Sequence, residues 1–496
     1  MQETIQTVLH LLTYDPKAPL IFSSGLFLFL FLGFSLIFSF MSKRTMLRIV
    51  YVTLFSLYFY YKSSGLYVGL LLLVATLDYG FARAMALDRF KKCRGWVLAT
   101  SLVVNLGMLC YFKYTNFFID IANTVWGKDF LEFRNIFLPI GISFFLFQSM
   151  SYTIDVYRKK ITPLTHWIDY LFFVSFFPVL VAGPIIRAHD FIPQIRQNPL
   201  KVTKEMFGTA IFLIASGLFK KCVISDYISL NFVDRIFDNP LLYSGFENLM
   251  GLYGYALQIY CDFSGYSDMA LGIALLLGFR FHKNFDSPYK SATITEFWRR
   301  WHISLSSWLK DYLYISLGGN RKGRFRQYIN LLLTMLLGGL WHGAAFRFIL
   351  WGGLHGTALA IHKFVMSRFS SFKAIGAEMS PLRRVVGILF TFHLVCLSWI
   401  FFRADSITIG KQMLIQIFTN FNLALAPNVV WGYLAIFVLF LVGYVLHFTP
   451  EKWELKTQKF VINTHFMVKA IILIVIIWFV MQIKSAEIQP FIYFQF

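Results

Sequence analysis

The chain has 496 residues, 57% of them hydrophobic and 19% aromatic, with a mean hydropathy of +0.61. Soluble domains use roughly 45–50% apolar residues, so water is not its main solvent, and membrane lipid is the partner that composition itself demands. The formal charge of +21 sits in short clusters between apolar runs. That pattern argues against nucleic acid as a partner and fits the rule that Lys and Arg mark cytoplasmic loops.

The N-terminal stretch contains Glu3, Asp15 and Lys17 and lacks the basic segment, short apolar core and cleavage site of a signal peptide. The first span is therefore expected to remain in the mature protein. Apolar runs follow at about 20–40, 46–61, 64–82, 96–117, 137–154, 168–185, 206–225, 246–278, 327–342, 344–362, 385–402, 429–447 and 465–483. At about 20 residues per crossing they predict an all-α polytopic protein with about eleven to thirteen passages. We divide it into N-terminal helices at 1–130, a core at 131–410 and C-terminal helices at 411–496.

Five basic clusters punctuate the runs: Lys43, Arg44, Arg48; Arg89, Lys91, Lys92, Arg94; Arg158, Lys159, Lys160; Arg321, Lys322, Arg324, Arg326; and Lys363, Arg368, Lys373, Arg383, Arg384. Placing all five in the cytoplasm puts the N-terminus outside and leaves two spans between successive clusters wherever the runs are clear. The five cysteines, Cys93, Cys110, Cys222, Cys261 and Cys396, have no CxxC spacing, and neither a disulfide nor a metal cluster is expected of them.

Between residues 183 and 320 the pattern breaks. Gly183-Pro184, Pro193 and Pro288 interrupt apolar stretches, and charges multiply. Irregular backbone at membrane depth is tolerated where it is buried or lines a wet cavity, so re-entrant segments and a site belong here. No inverted halves of the kind that mark many transporters are visible. Asp262 and Asp268 interrupt an apolar stretch from Leu257 to Gly278; they read equally as structural polar links or as the lining of a tunnel. With no His or Cys at ligand spacing, no metal is expected.

From Glu296 to Gly323 the sequence EFWRRWHISLSSWLKDYLYISLGGNRKG is too polar for lipid and too aromatic for a solvated loop. An interfacial helix or a buried re-entrant element fits both facts. Helical spacing places Trp298, His302 and Leu305 or Leu309 on one face, with Glu296, Arg299 and Arg300 displaced around it. The next run ends in Trp341-His342-Gly343 and returns past Trp351 and His355. The helical stretch from Gln327 to His342 rises about 24 Å at about 1.5 Å per residue, which carries His342 past the midplane. A histidine at that depth is either a functional group or a neutral ring bonded inside the bundle. Carried neutral, it suits a general base.

These stretches, together with LPIGISFFLFQSMSYTIDVYR (Leu138 to Arg158), AGPIIRAHDFIPQI (Ala182 to Ile195), DFSGYSDMALGIALLLGFRFHKNFDSPY (Asp262 to Tyr289) and WIFFRADS (Trp399 to Ser406), resemble the membrane-bound O-acyltransferase (MBOAT) family. The resemblance is to its bacterial polysaccharide O-acetyltransferase branch, typified by alginate O-acetylation, and spans about residues 138–406. It implies tilted helices around a tunnel in the bacterial inner membrane and a catalytic histidine at His342, with His302 as the second signature histidine. An acyl thioester such as acetyl-CoA on the cytoplasmic side is then the donor, with no tightly bound cofactor. An extracytoplasmic polysaccharide, reached through a periplasmic acetyltransferase, is the acceptor. Trp298, Arg299, Trp301, Asn320 and Trp341 are the accompanying candidates for substrate binding. The basic residues from Arg321 to Arg326 serve either to anchor the cytoplasmic face or to hold donor phosphates. Alternatives are D-alanyl transfer from a carrier protein to teichoic acid and, in other classes, a transporter or a non-catalytic scaffold.

Overall fold

The computed structural model describes residues 6, 10–16, 18–127, 130–369, 380–483 and 491–492. Glu3, Lys17 and Lys373, used above, lie outside them. The regular elements among the described residues are all helical. Among the described residues five helices are long and apolar enough to cross a membrane, Thr45–Ala86, Asp88–Trp126, Lys204–Asp238, Pro381–Arg403 and Phe466–Ile483, or up to seven if each of two bent helix pairs is one span. One such helix can hold more than one apolar run. Thr45–Ala86 carries two of them, with a turn at Gly65, whose φ of 59° suits glycine. The run at 168–185 breaks into Trp167–Ser175 and Phe177–Leu180, and the non-helical backbone that follows at 183–187 is buried.

The chain forms two compact units. The first comprises Met1–Ile214 and Met269–His282. A phenylalanine cluster, with Phe177 packed 5.0–6.3 Å from Phe27, Phe31, Phe34, Phe55 and Phe59, fills one part of it. A buried carboxylate organises another: Asp78 accepts from Ser101 at 2.6 Å, Ser149 at 2.5 Å and Asn105 at 2.9 and 3.0 Å. Such satisfaction is what makes burying a polar group tolerable. Arg48, grouped in the sequence with the exposed Arg44 as a cytoplasmic anchor, is instead 1% exposed. Its guanidinium donates to the carbonyls of Ser42, Ile195 and Gln197 at 3.0, 3.2 and 2.7 Å. Its several fixed donors serve carbonyls in loops and at a helix end.

The second unit comprises Ala215–Asp268 and Lys283–Phe496. Its centre is a hairpin of Arg324–His342 and Phe346–Arg368. A Cβ on Gly339 would collide with the carbonyl of Phe348, and one on Gly352 with the carbonyl of Met335. Small residues that let backbones approach this closely drive helix association in lipid, where apolar burial supplies little. Near the end of the chain, Leu434–Phe448 and Glu451–Asn463 meet at 93°.

Candidate active site

The segment around His302 is not one helix. Ile294–Arg300 starts at Thr293, whose hydroxyl accepts from the Glu296 N–H at 3.1 Å, while the Glu296 carboxylate accepts from the Ala292 N–H at 2.9 Å. It ends at Trp301, and His302 then adopts φ 43°, ψ 57° before Ile303–Trp308 begins. The single helical face expected for Trp298, His302 and Leu305 is thereby corrected, because a left-handed residue reorients everything after it. For a residue with a Cβ this conformation costs about 1–3 kcal/mol and persists only where surroundings enforce it.

Asn284 supplies that enforcement. Its backbone carbonyl accepts from Ile303 at 2.9 Å, and the neighbouring Asp286 N–H donates to the Arg300 carbonyl at 2.9 Å. The Asn284 Oδ1 accepts from the Ser304 N–H at 3.1 Å and the Ser304 hydroxyl at 2.9 Å, and lies 3.3 Å from His302 Nδ1. A backbone donor on Oδ1 fixes the amide orientation, and an amide oxygen only accepts. In the neutral ring the proton therefore sits on Nδ1, and Nε2 carries the lone pair. The His302 ring is fully buried, with Phe263 at 4.6 Å and Trp341 at 6.3 Å between centroids.

His342 is the last residue of its helix and is 3% exposed. Trp341, Trp351 and Phe402 surround it at centroid distances of 5.0, 5.0 and 5.3 Å and interplanar angles of 76°, 87° and 73°. These edge-to-face geometries are the favoured ones for aromatic rings. Trp341 thus neighbours both signature histidines.

A third histidine has a different character. The Trp298 indole N–H donates to His355 Nδ1 at 3.3 Å, and His355 Nε2 lies 2.8 Å from the Ser398 hydroxyl, which donates to the Val395 carbonyl at 2.7 Å. Since Nδ1 accepts, the neutral ring donates from Nε2, and the Ser398 hydroxyl accepts that proton's hydrogen bond while donating its own onward. His355 ties Ile294–Arg300, Phe346–Arg368 and Pro381–Arg403 together. Sequence reasoning passed over this network, although the i, i+4 spacing of Trp351 and His355 hints at a shared face.

Trp298, Trp301, His302, Trp341 and His342 are all buried in this aromatic cluster, where Trp301 stacks on Phe297 at 5.6 Å and contacts Trp399 at 5.0 Å. Arg299 and Asn320 are exposed, as are the basic residues from 321 to 326. Asp262 and Asp268 take part in ion pairs: Lys221 bridges Asp226 and Asp262 at 2.6 Å each, and Lys220 meets Asp268 at 2.7 Å. The second Asp262 oxygen accepts from the Ile492 N–H at 3.0 Å, and Phe491 packs on Phe263 and Tyr266 at 5.4 and 4.8 Å. Phe491 thus reaches the ring that borders His302, a contact between positions too distant in sequence to be read from it. Among the described residues no group of three or more His, Cys, Asp or Glu is placed to hold a metal ion.

The family model of the membrane-bound O-acyltransferases matches residues 158–402, which include both signature histidines. The chain is 38% identical over 506 residues to a probable alginate O-acetylase of Pseudomonas putida, covering 96% of this chain and 100% of that protein. It is 35% identical to a peptidoglycan O-acetyltransferase of Helicobacter pylori, covering 80% of this chain and 79% of that one. A teichoic acid D-alanyltransferase of Bacillus subtilis is 29% identical over 54% of this chain and 69% of its own length.

Proposed function

This chain belongs to the membrane-bound O-acyltransferase family and is a multi-pass membrane O-acyltransferase; on that premise we propose that it takes acetyl from a cytoplasmic thioester and passes it across the bilayer for O-acetylation of an extracytoplasmic polysaccharide. The observation that carries this reading is the end-to-end similarity to an alginate O-acetylase. The acetyl branch is favoured over D-alanyl transfer because the latter similarity covers only 54% of the chain. Acetyl-CoA is the donor in this reading, and a periplasmic transferase stands between the enzyme and the glycan.

His342 acts as the general base. It removes the proton of the attacking hydroxyl as the oxygen bonds to the thioester carbonyl carbon, then returns it to the departing thiolate. His302, held with its lone pair on Nε2, accepts a hydrogen bond from the acceptor hydroxyl or from an amide of the donor arm. That tautomer does not suit polarising a carbonyl, which needs a donor. Trp298 and Trp301 shape the wall, and Trp341 separates the two histidines. Arg299 and Asn320, both exposed, are left with donor capture rather than contact with the reacting atoms.

The test compares membranes carrying the wild type, His342→Ala and His302→Ala at matched, correctly inserted protein levels, following acetyl-CoA consumption and acetyl on extracytoplasmic glycan. Loss of a general base is expected to lower turnover about 10²–10⁴-fold. Undiminished turnover in His342→Ala would remove that residue from the mechanism.

A further inference from the structure

We propose that the indole N–H of Trp351 is the hydrogen-bond donor that holds the oxyanion formed when the acyl carbonyl is attacked beside His342. This rests on His342 being the general base. Trp351 is 0% exposed, and its Nε1 finds no hydrogen-bond partner among the described residues. A buried N–H without an acceptor costs about 1–3 kcal/mol. Phenylalanine would fill much of the same space without the donor.

The neighbours narrow the role. The ring lies 5.0 Å from His342 and 4.8 Å from His355, with Phe402 at 5.2 Å and Trp399 stacked at 5.7 Å. Both nitrogens of His355 are engaged, by Trp298 and Ser398, so that ring has no lone pair to offer the Trp351 donor. The residue next to Trp351 is Gly352, seated against the Met335 carbonyl, so the hairpin's closest approach holds the indole at His342. The missing acceptor is an oxygen that arrives with the substrate. When the hydroxyl oxygen bonds to the carbonyl carbon, its proton passes to His342 and the π pair moves onto the carbonyl oxygen. Trp351 donates to that oxygen until the pair returns, the carbon–sulfur bond breaks and the thiolate leaves with the proton. A preorganised donor in a water-excluded site is worth far more there than in water.

The experiment uses the full chain in membranes with acetyl-CoA as the varied substrate, comparing the wild type, His342→Ala, Trp351→Phe and Trp351→3-benzothienylalanine, whose ring keeps the size and stacking of indole but has sulfur in place of the N–H. Both Trp351 variants are expected to lose about 10²–10³-fold in kcat, with KM changed less than about threefold because the interaction forms only in the transition state. Wild-type kcat in the benzothienyl variant overturns the assignment, as does a raised KM with kcat intact. If His342→Ala retains turnover, the site reading falls and takes this proposal with it. If His342→Ala is inactive while the benzothienyl variant is normal, the Trp351 assignment alone falls.

Discussion

Two neighbouring regions of the second unit immobilise a histidine by opposite means. The broken segment around His302 relies on polar contacts, with one asparagine side chain and two backbone hydrogen bonds holding a left-handed residue in place. The Arg324–His342 and Phe346–Arg368 hairpin relies on the absence of side chains, its glycines bringing backbones together until aromatic rings close around His342. The polar region fails by leaving donors unsatisfied, whereas the hairpin fails by becoming too large. Substitutions therefore separate the two.

The largest effect is expected in the hairpin. Gly352→Val forces a branched side chain against the Met335 carbonyl and should cost at least the upper end of the roughly 1–3 kcal/mol typical of overpacking, read as a fall in thermal unfolding midpoint in detergent. Its neighbour is the control. A Cβ on Gly353 meets only a Leu336 methyl at 3.5 Å, so Gly353→Ala should stay within about 0.5 kcal/mol. Equal losses at both positions would mean that close backbone approach is not what holds His342.

A smaller effect is expected at the polar support. Asn284→Ala removes the acceptor of the Ser304 N–H and of His302 Nδ1, with an expected loss of about 1–3 kcal/mol and a drop in acyl transfer, as His302 is released from its tautomer and conformation. Stability falling with transfer untouched would detach His302 from the chemistry. The smallest effect on acyl transfer belongs to the His355 network. Ser398→Ala leaves the buried His355 Nε2–H without its acceptor while Trp298 still holds the ring and should cost about 1–3 kcal/mol, with the rate of acyl transfer unchanged. A large rate effect there would show that His355 does more than brace.

The kind of protein was legible in the sequence because composition reports the solvent directly. Apolar runs, basic clusters and the ordered signature stretches led to a helical membrane acyltransferase before any contact was known. The helix ending at His342 and the return past Trp351 were legible too, since Trp341-His342-Gly343 closes a periodic apolar run. The break at His302 was not. WRRWHISLS has unbroken helical propensity with no Gly or Pro to announce a turn, and the residue that imposes it, Asn284, lies in a different stretch of chain.

The same division holds for the polar groups. Sequence alone marked which ionisable residues interrupt apolar stretches, since each stands out against its neighbours. Only the tertiary structure decided what each one does: Arg48 binds loop carbonyls, Asp262 and Asp268 pair with Lys221 and Lys220, and His355 accepts and donates within a closed network. The physical reason is that a local sequence sets the cost of burying a polar group, while the partner that offsets it is chosen by packing and lies wherever the fold brings an acceptor or donor within about 3 Å.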